Sequence, residues 1–222
     1  MADAVSMPGP PVPEASWREP TDDEIEQAAD RIVSGDLSDR FGGGMTEMFV
    51  VDDGRQLPET KQQVLYAYWS ELCARYDDRP AREHVDVLAI LPAAGNVLLL
   101  DAVREGFDAR YRVYGSGIAN YAGRDWTGAT VSEMNAVTRT SLSLMYRACY
   151  RAVYRAHFAL FTQHDSPSWL SARSWRRLIL PLFDGDGTCS GFLVGNVPVD
   201  IEPLDETQLS LQREILGAPG RP

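Results

Sequence analysis

The stretch that decides the fold reads SWRRLILPLFDGDGTCSGFLVGNVPV and spans residues 174–199. Two apolar runs, at 174–183 and 190–199, lie on either side of the sequence DGDG at 184–187. Glycine and aspartate are typical of tight turns between antiparallel strands, because they adopt left-handed backbone angles at low cost. The pattern therefore predicts a β-hairpin with two long strands.

Periodic apolar patterns predict six further elements before the hairpin. Strands are expected at 97–103, 109–114 and 157–164, and helices at 59–76, 118–122 and 137–156. In the second strand, alternation places Tyr111 and Val113 on one face and Tyr114 on the other. Two strands before the helices and three after them predict an α+β fold. We expect a five-stranded antiparallel sheet with helices on one face and an N-terminal amphipathic helix.

The two ends of the chain are expected to lie outside this domain. Residues 1–20 are rich in proline, which predicts disorder. The sequence TDDE at 21–24 has the pattern of a capping box, and the apolar spacing after it predicts a short helix near 22–34. Glycine and aspartate then indicate a linker through residue 57. The expected divisions are an acidic, largely disordered arm at 1–57, the domain at 58–199 and an acidic flexible tail at 200–222.

Negative charge is concentrated in those ends. The formal net charge is −11, of which residues 1–60 carry −10, residues 61–199 carry +2 and residues 200–222 carry −3. A chain this acidic is not expected to bind nucleic acid, since phosphate backbones are bound by basic surfaces. The acidity therefore describes the ends of the chain rather than the domain between them.

Cysteine usage and hydropathy set further bounds. Cys73, Cys149 and Cys189 are far apart and odd in number, which predicts reduced thiols rather than a disulfide framework or a metal site. The N-terminus lacks the basic and apolar regions of a signal peptide. The longest apolar stretch, 87–100, is interrupted and too short to span a bilayer. We expect a cytoplasmic protein with no membrane contact.

A threefold repeat of the form Tyr-Arg-Ala-x occupies residues 146–157. A step of four residues advances about 400° on a helix, so each residue type keeps to its own face. Arg147, Arg151 and Arg155 therefore form an arginine stripe opposite the apolar face of the helix. This stripe is a candidate surface for an anion or a protein partner. The alternatives are a solvated face and a dock for the chain's own acidic N-terminal segment.

An ordered series of motifs runs along residues 61–199. Its pieces are YAYW at 66–69, RPAREHVD at 79–86, ILP at 90–92, VLLLD at 97–101, RYRVYGS at 110–116, GRDWTG at 123–128 and LPLFD at 180–184. This series resembles a bacterial family of small standalone PAS-domain proteins. The resemblance implies a PAS-like five-stranded antiparallel sheet whose helical face encloses a pocket. It also implies sensing, small-molecule binding or dimerisation rather than catalysis.

The pocket implied by the resemblance would be lined by inward-facing residues. The candidates are Tyr111, Val113, Ile118, Trp126, Met145, Cys149, Leu178 and Phe192. The alternative is that the same residues simply fill a core, and the sequence does not separate the two.

The sequence predicts no catalytic or metal site, and it does not identify a cofactor. Flavin-binding PAS relatives carry a cysteine on the helical face, whereas residues 115–128 contain none. Haem-binding relatives use a helix-borne histidine, which makes His157 a candidate haem ligand, with helix capping as the alternative. His164 is interpreted as part of a loop.

These observations favour a sensory or regulatory protein that binds a small molecule or a protein partner and has no catalytic output. The runner-up is an interaction adaptor with a filled core, whose helix near 22–34 binds a partner. An enzyme with an unrecognised site is a distant third. The apolar stripe of helix 59–76 would cover the second face of the sheet or a second subunit, so a homodimer through this helix is expected.

Overall fold

The computed structural model describes residues 17–36, 41 and 44–217. Four stretches that the sequence assigns to disorder, linker and tail, at 1–16, 37–40, 42–43 and 218–222, lie outside the described residues. Within the described ranges, no helix combines the length and the apolar character needed to cross a membrane.

A six-stranded antiparallel sheet forms the centre of the protein. Its strands are β1 (Met45–Val50), β2 (Val97–Val103), β3 (Asp108–Tyr114), β4 (Leu160–Asp165), β5 (Ala172–Phe183) and β6 (Cys189–Ile201). In space they follow the order β1-β4-β5-β6-β2-β3, and each neighbouring pair is antiparallel. Phe183 pairs with Cys189 across the turn, where Gly187 has a φ of 84°. The α+β class and the predicted hairpin are therefore confirmed.

The predicted strand count of five is wrong, because β1 adds a sixth strand. β1 pairs with β4 at the edge of the sheet, inside the segment that the sequence indicates as a linker. Its register shifts between Met45 and Glu47, so that Met45 and Met48 both lie on a buried face. Such a β-bulge removes the two-residue alternation by which a strand is recognised in a sequence.

The helices are α1 (Asp22–Val33), α2 (Thr60–Arg75), α3 (Ser116–Ala122), α4 (Val131–Thr138), α5 (Ser143–Ala156) and α6 (Glu206–Leu216). The capping box at the start of α1 is present. The Thr21 hydroxyl accepts a hydrogen bond from the backbone N–H of Glu24, whose carboxylate accepts one from the backbone N–H of Thr21. The helices predicted near 22–34 and at 59–76 are confirmed.

Two other helix predictions need correction. The helix expected at 137–156 is two helices, because α4 ends at Thr138, Arg139 has a left-handed φ of 48° and α5 begins at Ser143. The tail expected to be flexible contains α6, which is capped by the side chain of Asp205 and buries Leu216.

Helices cover both faces of the sheet, so the prediction of helices on one face is wrong. On one face, Leu65 of α2 lies in a core with strand residues such as Phe161 and Leu193. The other five helices contribute to the larger core on the opposite face. The sequence predicts two roles for the apolar stripe of α2. In the structure, this stripe covers the second face of the sheet.

A second β-bulge decides which residues of β3 face the larger core. The register between β2 and β3 shifts, so Tyr111 and Tyr114 lie on the same face with ring centroids 5.2 Å apart. Val113 consequently lies on the opposite side and is 40% exposed. The predicted face of Val113 is wrong, because only an uninterrupted strand would place it beside Tyr111.

α1 packs along α5 and covers the arginine stripe. Four of its apolar residues are buried, namely Ile25, Ala28, Ala29 and Ile32. Beside them, Glu26 forms ion pairs with Arg151 at 2.6 Å and with Arg155 at 2.7 Å. Asp30 forms a further ion pair with Arg155 at 2.5 Å. Of the three alternatives predicted for the arginine stripe, the structure shows the last one, in which the stripe binds the chain's own acidic N-terminal segment.

Arg147 is the most deeply buried member of the stripe, with 1% of its surface exposed. It pairs with Glu19, donates a hydrogen bond to the carbonyl of Phe107 and lies 3.8 Å from the carboxylate of Asp108. Ser132 donates to Asp108 from its hydroxyl at 2.5 Å and from its backbone N–H at 3.2 Å. A buried charge is tolerated only when it is paired and hydrogen-bonded in this way.

α1 contributes Ala28, Ala29 and Ile32 to the larger core, and β1 contributes Met45 and Met48 to it. α1 also supplies carboxylates to the arginine stripe. The division of the chain at residue 57 stays a prediction.

We predict that the docking of α1 stabilises the whole domain. Ile32→Ala removes a side chain that is 1% exposed, so the free energy of unfolding should fall by about 2–4 kcal/mol. The matched control is the neighbouring Val33→Ala, at a side chain that is 40% exposed, where the change should stay within about 0.5 kcal/mol. Urea unfolding measures both. Equal effects of the two substitutions would show that α1 does not pack as described.

Candidate functional site

A cavity of about 70 Å³ lies between the sheet and the helices of the larger core. Strands β2 to β6 form one wall, and α3, α4, α5 and their neighbouring loops form the other. Six of its lining residues are aromatic: Tyr111, Tyr114, Trp126, Tyr146, Trp169 and Trp175. A water molecule takes up about 30 Å³ in the liquid, so the cavity has room for a ligand of a few heavy atoms.

The strand register brings three polar residues together in this wall. Thr162, Arg177 and Asn196 are direct neighbours across β4, β5 and β6. His164 and Trp175 form the next pair toward the end of β4. Arg177, Asn196 and His164 line the cavity. A polar row thus interrupts a sheet face that is otherwise apolar.

Arg177 is a buried cation without a carboxylate partner. Its side chain lies in the cavity wall and the residue is 6% exposed. The guanidinium carbon lies 4.5 Å from the ring centroid of Tyr146, and the Nε atom has no hydrogen-bond partner. In the part of the chain that the structure describes, no Asp or Glu forms an ion pair with Arg177. Cation–π contact offsets only part of the cost of burying this charge.

The tyrosines around Arg177 do not supply the missing negative charge. Burial raises the pKa of Tyr111 and Tyr114 well above the ordinary value of a phenol, and it raises that of Tyr150 to about 12. All three hydroxyls therefore keep their protons near neutral pH. The Tyr150 hydroxyl is itself buried without a hydrogen-bond partner.

His164 is fully buried, and neither of its ring nitrogens has a hydrogen-bond partner. Its ring meets Tyr146 edge-on, with the centroids 5.1 Å apart. Burial lowers the pKa of His164 well below its ordinary value, and the charge of Arg177 lowers it further. The imidazole is therefore neutral, so one of its ring nitrogens is a hydrogen-bond donor and the other an acceptor.

Unpaired polar atoms are concentrated at this place. Buried donors and acceptors in folded proteins are nearly always satisfied, so each exception requires a reason. Here the Nε of Arg177, both ring nitrogens of His164, Oδ1 of Asn196 and Oγ1 of Thr162 lack partners. A ligand or ordered water in the cavity would satisfy those of Arg177, His164 and Asn196, which line it.

The structure distributes the eight predicted pocket residues unevenly. Tyr111 and Trp126 line the cavity. Four others are buried in the same core without lining it, namely Ile118, Met145, Cys149 and Phe192. Val113 lies on the other side of its strand because of the β-bulge, and Leu178 belongs to the core under α2. The face predicted for Leu178 is wrong, because Arg177 rather than Leu178 faces the helices.

The sequence patterns do not indicate the polar residues of the cavity. His164 belongs to β4, whereas its sequence is interpreted as a loop, and Arg177 is not among the predicted pocket residues. One signal was available. Successive side chains of a strand point to opposite faces of the sheet, so Arg177 shares a face with Trp175 and Ile179.

His157 lies away from the cavity. It ends α5 with a left-handed φ of 60°, and its backbone N–H donates to the carbonyl of Val153 at 2.9 Å. Its ring meets Phe183 edge-on at 5.0 Å. This is the capping role that was the alternative to haem ligation.

Other reactive side chains do not form a site among the described residues. No three or more of their His, Cys, Asp and Glu side chains are grouped closely enough to hold a metal ion. The cysteines are free and buried, and burial raises the pKa of each thiol to about 12.

Comparison with known proteins identifies no family for this chain. It matches no protein-family model and no curated protein. A solved structure described as an RNA-binding Light-Oxygen-Voltage receptor resembles it with a TM-score of 0.37 and 11% sequence identity. The match covers 88% of this chain, which spans 63% of the length of that protein. A similarity of this size carries no conclusion about function.

We predict that His164 makes the protein sensitive to acid. The folded state holds this imidazole neutral. In the unfolded state the imidazole has its ordinary pKa of about 6.5, so it binds a proton at lower pH. The free energy of unfolding therefore decreases as the pH falls, by about 1.4 kcal/mol between pH 7.5 and 5.5. Urea unfolding of the parent and of His164→Gln over this range measures the difference. A parent-minus-variant difference that does not change with pH would contradict the neutral imidazole.

Proposed function

We propose that this chain is a cytoplasmic sensory or regulatory protein of PAS type, which binds a small molecule in the aromatic cavity and has no catalytic output of its own. The observation that carries the proposal is the cavity itself, where buried polar groups of Arg177, His164 and Asn196 lack partners beside six aromatic rings. Small-molecule sites typically combine apolar walls with a few oriented polar groups in this way.

The order of the elements supports the PAS assignment. β2 and β3 precede helices α3, α4 and α5, and β4, β5 and β6 follow them in the same antiparallel sheet. The cavity lies on the face that these helices cover. This is the layout that the motif resemblance implies, with β1 as an addition at the edge next to β4.

The same contacts suggest how occupancy of the cavity would be transmitted. Tyr146 of α5 lies against both Arg177 and His164, and the next residue, Arg147, holds the acidic segment that leads into α1. A ligand that shifts Tyr146 would therefore act on the dock of α1. We propose α1, rather than α2, as the element that carries the signal outward.

The adaptor alternative receives less support. It requires a filled core and a helix near 22–34 that is free to bind a partner. Here the apolar face of α1 is buried by the chain itself, and the core contains a cavity.

We predict that filling the cavity abolishes ligand binding. Ala122, at the end of α3, lines the cavity, and Ala122→Phe would occupy its space. The parent should show saturable thermal stabilisation by at least one molecule of a fragment panel. A ligand at 100 times its Kd stabilises by about 2.7 kcal/mol, and Ala122→Phe should lose this response. Ala119→Phe, on the same helix and outside the cavity, is the control and should retain it. Full retention by Ala122→Phe would exclude this cavity as the site.

A homodimer through α2 remains part of the proposal. Beside α2, the turn at Val87–Ile90 and the residue after it expose three large apolar side chains, Val87, Leu88 and Leu91. Several large apolar side chains exposed near one another on a soluble protein are typical of an association site.

We predict that Leu88→Glu shifts the monomer–dimer equilibrium toward the monomer, because a carboxylate in an apolar interface stays unpaired. Sedimentation velocity of the parent and the variant at equal concentration measures the change. Val137→Glu is the control, at an apolar residue on α4 that is 39% exposed, against 72% for Leu88. A parent that sediments as a monomer at high concentration would contradict the homodimer.

A further inference from the structure

We propose that the ligand of the cavity is a short-chain monocarboxylate anion, whose carboxylate binds Arg177 and His164 and whose carbon chain lies against the surrounding tryptophans. This inference rests on the proposed function, because it names the chemical class of the small molecule that the cavity would bind.

The charge of the site determines the head group. Arg177 is buried, and no described carboxylate pairs with it. The tyrosine hydroxyls keep their protons and His164 is neutral, so the wall carries one uncompensated positive charge. An anionic ligand would neutralise this charge, whereas a cationic one would add to it.

The geometry of the donors favours a carboxylate over other anions. A guanidinium presents planar, parallel N–H donors that match the two oxygens of a carboxylate. The unpaired Nε atom of Arg177 is available for such a pair, and a neutral His164 can donate one more hydrogen bond. Asn196, on the strand beside Arg177, also lines this polar corner of the cavity, but its unpaired Oδ1 atom accepts hydrogen bonds and does not bind the carboxylate.

The other residues of the cavity wall determine the chemistry of the ligand's tail. Trp126, Trp169, Trp175 and Leu170 also line the cavity, so the part of the ligand beyond its carboxylate is apolar. The volume of about 70 Å³ corresponds to about two water molecules at about 30 Å³ each, so only the smallest carboxylates are candidates. Acetate and propionate are the smallest that carry an apolar tail. For so few atoms, the best attainable Kd is on the order of micromolar to tens of micromolar.

Three ligands of equal shape test the charge directly. Propionate, propionamide and propionamidine have the same heavy-atom skeleton and differ in charge. Each is titrated into the full-length protein at pH 7.5 and constant ionic strength, and the tryptophan indole NMR signals report binding. We expect propionate to bind saturably and at least about tenfold more tightly than propionamide, with no binding of propionamidine.

Several outcomes would overturn the inference. If propionamide or propionamidine binds as tightly as propionate, the cavity binds small molecules but not carboxylates, and the proposed function stands. If nitrate competes as well as propionate, the site is one for inorganic anions. If no propionate binds, the carboxylate is excluded, and the Ala122→Phe experiment with the fragment panel decides separately whether the cavity binds any molecule.

Two neighbouring arginines provide matched variants. Arg177→Met should weaken propionate binding at least about tenfold, and the melting temperature of the ligand-free protein should not fall, because an unpaired buried charge has been removed. Arg176→Met, on the opposite face of β5, breaks bonds to Glu59 at 2.5 Å and to Gln163 at 2.9 Å. It should lower the melting temperature and leave propionate binding unchanged. Unchanged binding in Arg177→Met would overturn the proposal without reference to stability.

Discussion

Burial of α5 is the constraint on which the rest of this structure depends. The helix lies between the sheet and α1, and its repeating sequence places an arginine on the outward side at every turn. A guanidinium such as that of Arg147 is stable in this position only if carboxylates reach it. Glu19, Glu26 and Asp30 do so from the N-terminal segment. The negative charge at the start of the chain is therefore structural, because it holds the outer layer of the larger core in place.

Arg177 shows the opposite solution with the same residue type. Both Arg147 and Arg177 are buried, yet Arg147 has carboxylates and a backbone carbonyl around it, whereas Arg177 has an aromatic ring and an unpaired Nε atom. A domain that satisfies one buried arginine so fully has no structural need for the other. This contrast supports the proposal that Arg177 binds a ligand.

Local chemistry made much of the fold predictable from the sequence. The capping box at 21–24, the DGDG turn and the apolar runs of 97–103 and 174–183 depend on contacts between residues close in the chain, and each led to the correct element. The failures in the strands share one cause. β-Bulges at Met45 and in β3 each shift the two-residue alternation by one position, which hid β1 and reversed the faces of Val113 and Tyr114. The break between α4 and α5 follows from the left-handed angles of Arg139, a residue type that seldom indicates such a turn.

The sequence by itself determined the class of fold, the position of most helices and strands, and the existence of an arginine stripe beside an acidic segment. Only the tertiary structure decided what that stripe binds, because ion pairs between residues more than a hundred positions apart depend on how α1 and α5 pack. It also decided which polar residues meet. Thr162, Arg177 and Asn196 become neighbours through the register of three strands, and register depends on hydrogen bonds across the sheet rather than on periodicity along one segment.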